Sequence, residues 1–260
     1  MKKLTFCLLI LAGALLAGCH KSQRSISHSG YVQQRSYCGE ETREPVSDPA
    51  FAYRGELSEN DVLGIARSEF TSEADIRRAL EAAKPVKLQP GSSILLIQSG
   101  ALLPDGEMVT RLSRHYRVVP FSGVPTVRRL GSGAVQTESL DPEMYSKTLR
   151  LTAARGGTDF IVCYWGMLES ESDRLPTKTV SWIPIVNWFT PDEKQHMRIQ
   201  LKVALVDVRS GNWSVFSPKP FADARITTSP RRGPADQKQV ERLKKLAYEA
   251  SVNELSQAYN

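Results

Sequence analysis

The chain has 260 residues, 41% of them hydrophobic, and a net charge of +6. That length suits one large domain, or one domain with appendages. The charged residues are interspersed rather than clustered, so the sequence offers no footprint for nucleic acid. Lys2 and Lys3 open the chain and an apolar run extends from Leu4 to Leu16, closed by Ala17, Gly18 and Cys19. A basic stretch ahead of so short an apolar run reads as an export signal and is too short to span a bilayer.

The run Leu16-Ala17-Gly18-Cys19 resembles the lipobox of bacterial lipoproteins. The resemblance implies that residues 1–18 are a signal peptide cut off before Cys19, whose thiol is diacylated and whose new amine is acylated in turn. Each buried methylene contributes about 0.8 kcal/mol, so three chains would make attachment to the lipid bilayer effectively permanent. Residue 20 is His rather than Asp, which in such lipoproteins implies the outer membrane, facing the periplasm. Loss of Lys2 and Lys3 leaves the mature part at +4. Cys7 leaves with the signal, so Cys38 and Cys163 are the thiols that remain, in a compartment that permits a disulfide between them.

Residues 19–57 read as a lipidated tether. Lys21 to Ser25 is polar without periodicity, and Pro45 and Pro49 break up the later part of the segment, although Tyr31, Val32, Tyr37 and Phe51 are not spacer residues. Residues 58–90 read as two short helices, free-standing or forming a cap. Ser58 caps the first, with Glu59 and Asp61 behind it, and the second begins near Thr71 or Ser72 and stops before Pro85.

Residues 91–260 carry the main domain. Ser93 to Gln98 is a continuous apolar run of strand length, which implies burial on both faces. Asp105 is placed to cap a helix ending by His115, and Tyr116 to Pro120 gives a second strand. Asp141-Pro142-Glu143 has the form of a helix start, and Gly156-Gly157 of its stop. Thr158 to Gly166 is a strongly apolar strand, which the acidic, serine-rich Glu169–Asp173 segment interrupts as a solvated loop. From Met197 to Asp207 alternate residues are apolar, as in a strand with one buried face. Arg209 to Asn212 turns that strand into a partner at Trp213–Phe216, and a helix closes the chain from about Ala235 to Tyr259. It carries Val240, Leu243, Leu246, Ala247, Ala250 and Leu255 along one stripe. The order implies an α/β fold, a mixed β-sheet with helices packed on it, preceded by the lipidated tether and the two short helices.

Thr158-Asp159-Phe160-Ile161-Val162, together with Asp207-Val208-Arg209-Ser210-Gly211-Asn212-Trp213, resembles motifs of a group of envelope domains. The group includes the curli secretion lipoprotein, the penicillin-binding-protein activator lipoprotein and the amino-terminal domain of the Tol-system propeller protein. Thr158 stands where the group has alanine. The resemblance spans residues 91–260 and implies a membrane-anchored periplasmic protein that binds or organises other envelope components.

No catalytic constellation emerges. His28, His115 and His196 are scattered without metal-ligand spacing, Gly131-Ser132-Gly133 does not form a phosphate loop, and Glu169, Glu171 and Asp173 lack the pattern of a calcium loop. The residues therefore imply neither a cofactor nor a metal, and no enzyme. Cys163, in the middle of an apolar strand, reads as buried and inert or as bridged. In Val180–Phe189, Trp182, Trp188 and Phe189 either cover the chain's own sheet or meet a protein partner or a membrane. In the curli relative the corresponding connections build a pore, but prolines 184 and 191 and the weak alternation depart from a barrel hairpin. The alternatives to an envelope binder are an envelope hydrolase acting on cell-wall or peptide substrates, and a subunit of a secretion or pore assembly. The sequence leaves the oligomeric state open.

Overall fold

The computed structural model describes residues 20–28, 55–65, 72–125, 142–174, 193–227 and 232–259. These residues build β1 (His20–Ser25), a 3-10 turn (Ile26–His28), α1 (Glu59–Leu63), α2 (Glu73–Ala82) and β2 (Ser93–Gln98). Next come α3 (Gly106–Leu112), β3 (Arg117–Phe121), α4 (Pro142–Arg155), β4 (Phe160–Arg174), β5 (Glu193–Asp207), β6 (Trp213–Phe216), β7 (Phe221–Thr227) and α5 (Arg232–Ala258). The seven strands form one mixed sheet with helices packed on it, as the order of elements implies.

Local chemistry sets many of the boundaries. Ser58 and Ser72 each close a capping box: their hydroxyls accept from the Asp61 and Asp75 amides, and those carboxylates accept from the serine amides. Pro142 opens α4, and Gly157, at φ 68°, turns the chain out of it. β2 lies between two parallel neighbours, β3 and β4, and all six of its residues are buried because its alternate side chains enter a core on each face of the sheet.

The sheet has two halves that share β4 and β5. The proximal half is ordered β3-β2-β4-β5-β6. In the distal half β1 pairs with β4 and β7 pairs with β5, giving β1-β4-β5-β7, all antiparallel. On one face Ile94, Leu96, Val162, Leu205, Leu243 and Leu255 form the larger core under α3 and α5. On the other, Leu95, Ile97, Ile161, Cys163, Leu149 and Val62 form a smaller core under α4 and α1. Each such side chain fully buried contributes about 1.5–3 kcal/mol.

The halves meet at Gly166. A Cβ there would lie 2.4 Å from Ile26 Cδ1 and 2.7 Å from Leu201 Cδ2. The absent side chain lets Ile26, just past β1, enter the core at 1% exposure.

Several expectations are corrected. His20–Ser25, at the head of the segment read as a tether, pairs with β4, with His20 opposite Ser172 and Ser25 opposite Met167, while residues 29–54 of that segment lie outside the described residues. Glu169–Asp173 continues β4 rather than looping: its backbone pairs with β1 and β5, and Glu169 and Glu171 are half-buried on a sheet surface over which no described helix lies. β5 starts at Glu193, four residues earlier than its apolar alternation, and β7 emerges as a strand of mixed polarity. Asp105 does stand at the start of α3, but its carboxylate makes no cap and turns to α5 instead. On α5, Leu246 is exposed, while Tyr248, Ser251 and Val252 are buried in its place along the stripe. Of the two short helices, α1 packs on α4, where the Ser146 hydroxyl donates to the Val62 carbonyl at 3.1 Å. By contrast, α2 buries no side chain.

Overfilling the junction should therefore destabilise the fold. Gly166→Ala is expected to cost about 1–3 kcal/mol, read as a fall of several degrees in Tm. Ile26→Ala should cost about 2–5 kcal/mol. Because the two side chains compete for one space, the double variant should cost clearly less than the sum of the two. Strict additivity in thermal melts would contradict this contact.

Candidate functional site

Among the described residues, the helices leave one surface of the sheet uncovered. In the distal half, α5 covers one face: the Gln239 amide donates to the Asp223 carbonyl of β7 at 3.0 Å, and Arg242 pairs with the Asp223 carboxylate. The opposite face continues past the end of the smaller core with no described helix on it. Strand alternation places Gln23 and Ser25 of β1 there, with Met167 and Glu169 of β4, and His196, Arg198, Gln200 and Lys202 of β5.

Cross-strand pairing organises this face. Glu169 accepts from Gln23 Nε2 at 2.9 Å and pairs with Arg198 at 3.7 Å. Lys202 pairs with Glu59 at the start of α1, joining the open face to the covered one. Exposed pairs of this kind add at most about 1 kcal/mol, so their main effect is to fix the charge pattern. Trp165 forms the wall where the faces meet, its indole N–H donating to the Leu57 carbonyl at 2.6 Å. Met167 is 47% exposed in the midst of these charges. Two open grooves run across the surface. One, of about 610 Å³, is bounded by Gln23, Trp165, Met167, Gln200 and Lys202; the other, of about 390 Å³, by Glu169, Glu171, His196 and Arg198 with Ala222 and Ala224.

A second polar cluster lies at the carboxyl end of β2, the usual place for a ligand in a parallel sheet. Here protein groups fill it. Gln98 Oε1 accepts from Tyr164 Oη at 2.6 Å and from the Asp105 amide at 2.7 Å. Gln98 Nε2 donates to Ser27 Oγ at 3.0 Å, and Ser27 Oγ donates to the Ser99 carbonyl at 2.6 Å. Asp105 Oδ2 accepts from Tyr248 Oη and, at 2.8 Å, from Lys244 Nζ. Burial pushes the phenols of Tyr164 and Tyr248 well above their ordinary range, and the Asp105 charge adds to this. The cluster ties β2, β4, α3, α5 and the 3-10 turn together. These bonds clamp the five elements to one another.

Cys163 lies in the smaller core, fully buried, where burial pushes its thiol well above the ordinary range, and Cys38, its expected disulfide partner, lies outside the described residues. Cys19, Trp182, Trp188 and Phe189 also lie outside the described residues. Among the described residues no group of His, Cys, Asp and Glu is placed to hold a metal ion, and no helix is long and apolar enough to cross a membrane. Sequence reasoning missed the open face, although the period-two pattern of β5, with Arg198, Gln200 and Lys202 on its wet side, carried the signal.

An α/β domain with a half-covered mixed sheet is the class these elements define. The chain belongs to a bacterial lipoprotein family: the model of the YafT bacterial lipoprotein family matches residues 58–258. Membership of a lipoprotein family implies membrane attachment through lipid. No curated protein matches the chain.

The buried phenols generate a pH prediction. Burial, with minor contributions from Cys163 and Asp61, pushes Tyr145 up to about 12, and Tyr164 and Tyr248 shift the same way. An unfolded tyrosine ionises near pH 10, so the folded state holds these protons more tightly. Their contribution to stability is complete below about pH 10 and is lost as pH rises towards the folded values. Thermal melts from pH 8 to 12 should show Tm falling above about pH 10, with a shallower fall in Tyr145→Phe. An equal slope in the variant would contradict the shift.

Proposed function

We propose that this lipoprotein is held by acyl chains on Cys19 in the outer membrane, facing the periplasm. It presents the uncovered face of β1-β4-β5-β7 to another envelope protein, and it acts by binding rather than by catalysis. The observation that carries this reading is the one-sided cover of the distal half, which leaves half-exposed Met167 and the Glu169–Arg198 pair on a broad surface. Small-molecule sites enclose most of their ligand and converge a few polar groups on it. These grooves are open and bordered by spread charges, which suits a protein surface with its own polar rim. Resemblance to the curli, penicillin-binding-protein activator and Tol domains supports a role in organising envelope components. The mixed sheet and the Asp207–Trp213 hairpin, where the Asp207 carboxylate accepts from the Arg209 and Ser210 amides at 2.8 and 2.9 Å, suit that resemblance. Trp182, Trp188 and Phe189, in the segment joining β4 to β5, extend the contact in this reading.

The test places a photo-cross-linking residue at Met167 in intact envelopes, with Trp213 as control, since both are close to half exposed at 47% and 49%. A discrete adduct is expected at Met167 and not at Trp213; equal adducts, or none, would contradict the proposal. For the aromatic segment, Trp188→Ala or Phe189→Ala should weaken capture of that partner by about 1–3 kcal/mol with Tm nearly unchanged. A loss of stability of about 3–5 kcal/mol would instead make them part of the core.

A further inference from the structure

The lipid-bearing residue and the sheet are neighbours in the chain. His20, directly after Cys19, is the first residue of β1 and pairs with Ser172, near the distal end of β4. The same row continues through Gln195 of β5 to Arg225 of β7. Consecutive Cα atoms are about 3.8 Å apart, so no spacer separates an acylated Cys19 from that row. β1 is also held firmly at its other end. Ile26 is buried against Gly166, Ser27 is hydrogen-bonded to Ser99 and Gln98, and Ser22 shares a 2.7 Å hydrogen bond with Ser170.

We propose that the distal end of the sheet, the row His20–Ser172–Gln195–Arg225, rests on the bilayer surface that holds the acyl chains, so that the strands stand upright on it. This inference rests on the reading of Cys19 as the lipidated residue. Twelve residue steps along β4 lead from Ser172 to Phe160, and at about 3.3 Å per step they raise the far end of the domain roughly 40 Å above the membrane. The open face of the distal half then lies immediately above the lipid headgroups and runs along the membrane normal. The row and its flanking positions carry both signs of charge in sequence, with Lys21, Arg174, Lys194 and Arg225 beside Glu171, Asp173 and Glu193. The orientation therefore comes from the covalent anchor and strand pairing. It does not depend on attraction to anionic lipid.

The test uses the full-length acylated protein with Cys38→Ser, reconstituted into phosphatidylethanolamine–phosphatidylglycerol vesicles containing a headgroup-nitroxide lipid. A fluorophore is attached at Ala224→Cys, one residue from the row, or at Ser210→Cys, in the exposed turn at the other end of β5. Strong quenching is expected at the first position and none at the second, unchanged by salt or by the anionic lipid fraction. Twenty Gly/Ser residues inserted between Cys19 and His20 should lower the first signal to the level of the second. An acylated, vesicle-bound protein with equal quenching at both positions, or with quenching that survives the insertion, overturns the docking alone. A protein that takes up no acyl-chain label and stays off the vesicles overturns the reading of Cys19 and the docking with it.

Discussion

The antiparallel ladder between β4 and β5, fifteen residues on each strand, is the interaction on which the rest of the molecule depends. The neighbours of both strands change along their length. Beside β4 the parallel strand β2 ends at Gln98, and β1 takes its place from Met167 onward. Beside β5, β6 gives way to β7 in the same manner. Each changeover leaves a short stretch without a strand neighbour on that side, and in β4 that stretch holds Gly166. The missing side chain there is filled by Ile26, so the amino-terminal strand is locked into the core by the same gap that its arrival creates.

Uneven cover results from this arrangement. The long α5 packs along β5 and β7 and reaches the distal half, whereas α4 and α1 extend only over the proximal strands. The open surface is consequently polar where it meets water and retains Met167 and Trp165 near its border with the smaller core. Charged cross-strand pairs keep such a surface soluble and discourage indiscriminate edge pairing.

Much of the fold is legible in the residues because local signals agree with their surroundings. Ser58 and Ser72 each have Asp three residues later, Pro142 opens α4, and β2 carries no charged residue to place in water. The Asp207–Trp213 hairpin is readable for the same reason, since its turn is closed by the Asp207 side chain and by Gly211 at φ 77°. What escapes the sequence is whatever depends on distant partners. β1, with the sequence His-Lys-Ser-Gln-Arg-Ser, is polar throughout and becomes a strand only because β4, well over a hundred residues later, offers an edge. Glu169 to Asp173 looks like a loop for the same reason, since polarity on both faces hides the strand period. Asp105 occupies the expected cap position, yet Lys244 and Tyr248 on the last helix capture its carboxylate. The open face joins β1 and the acidic end of β4, which hide their period, to the wet side of β5, whose period is legible.

With acyl chains on Cys19, as proposed, β1 and the strands bearing the open face stand on the membrane as one rigid unit. Polarised infrared spectroscopy of the acylated protein on a supported bilayer tests it most directly, because the amide I band of the sheet reports mean strand direction. The account predicts strong dichroism, with strands close to the membrane normal. An isotropic signal, or strands lying in the membrane plane, would contradict it.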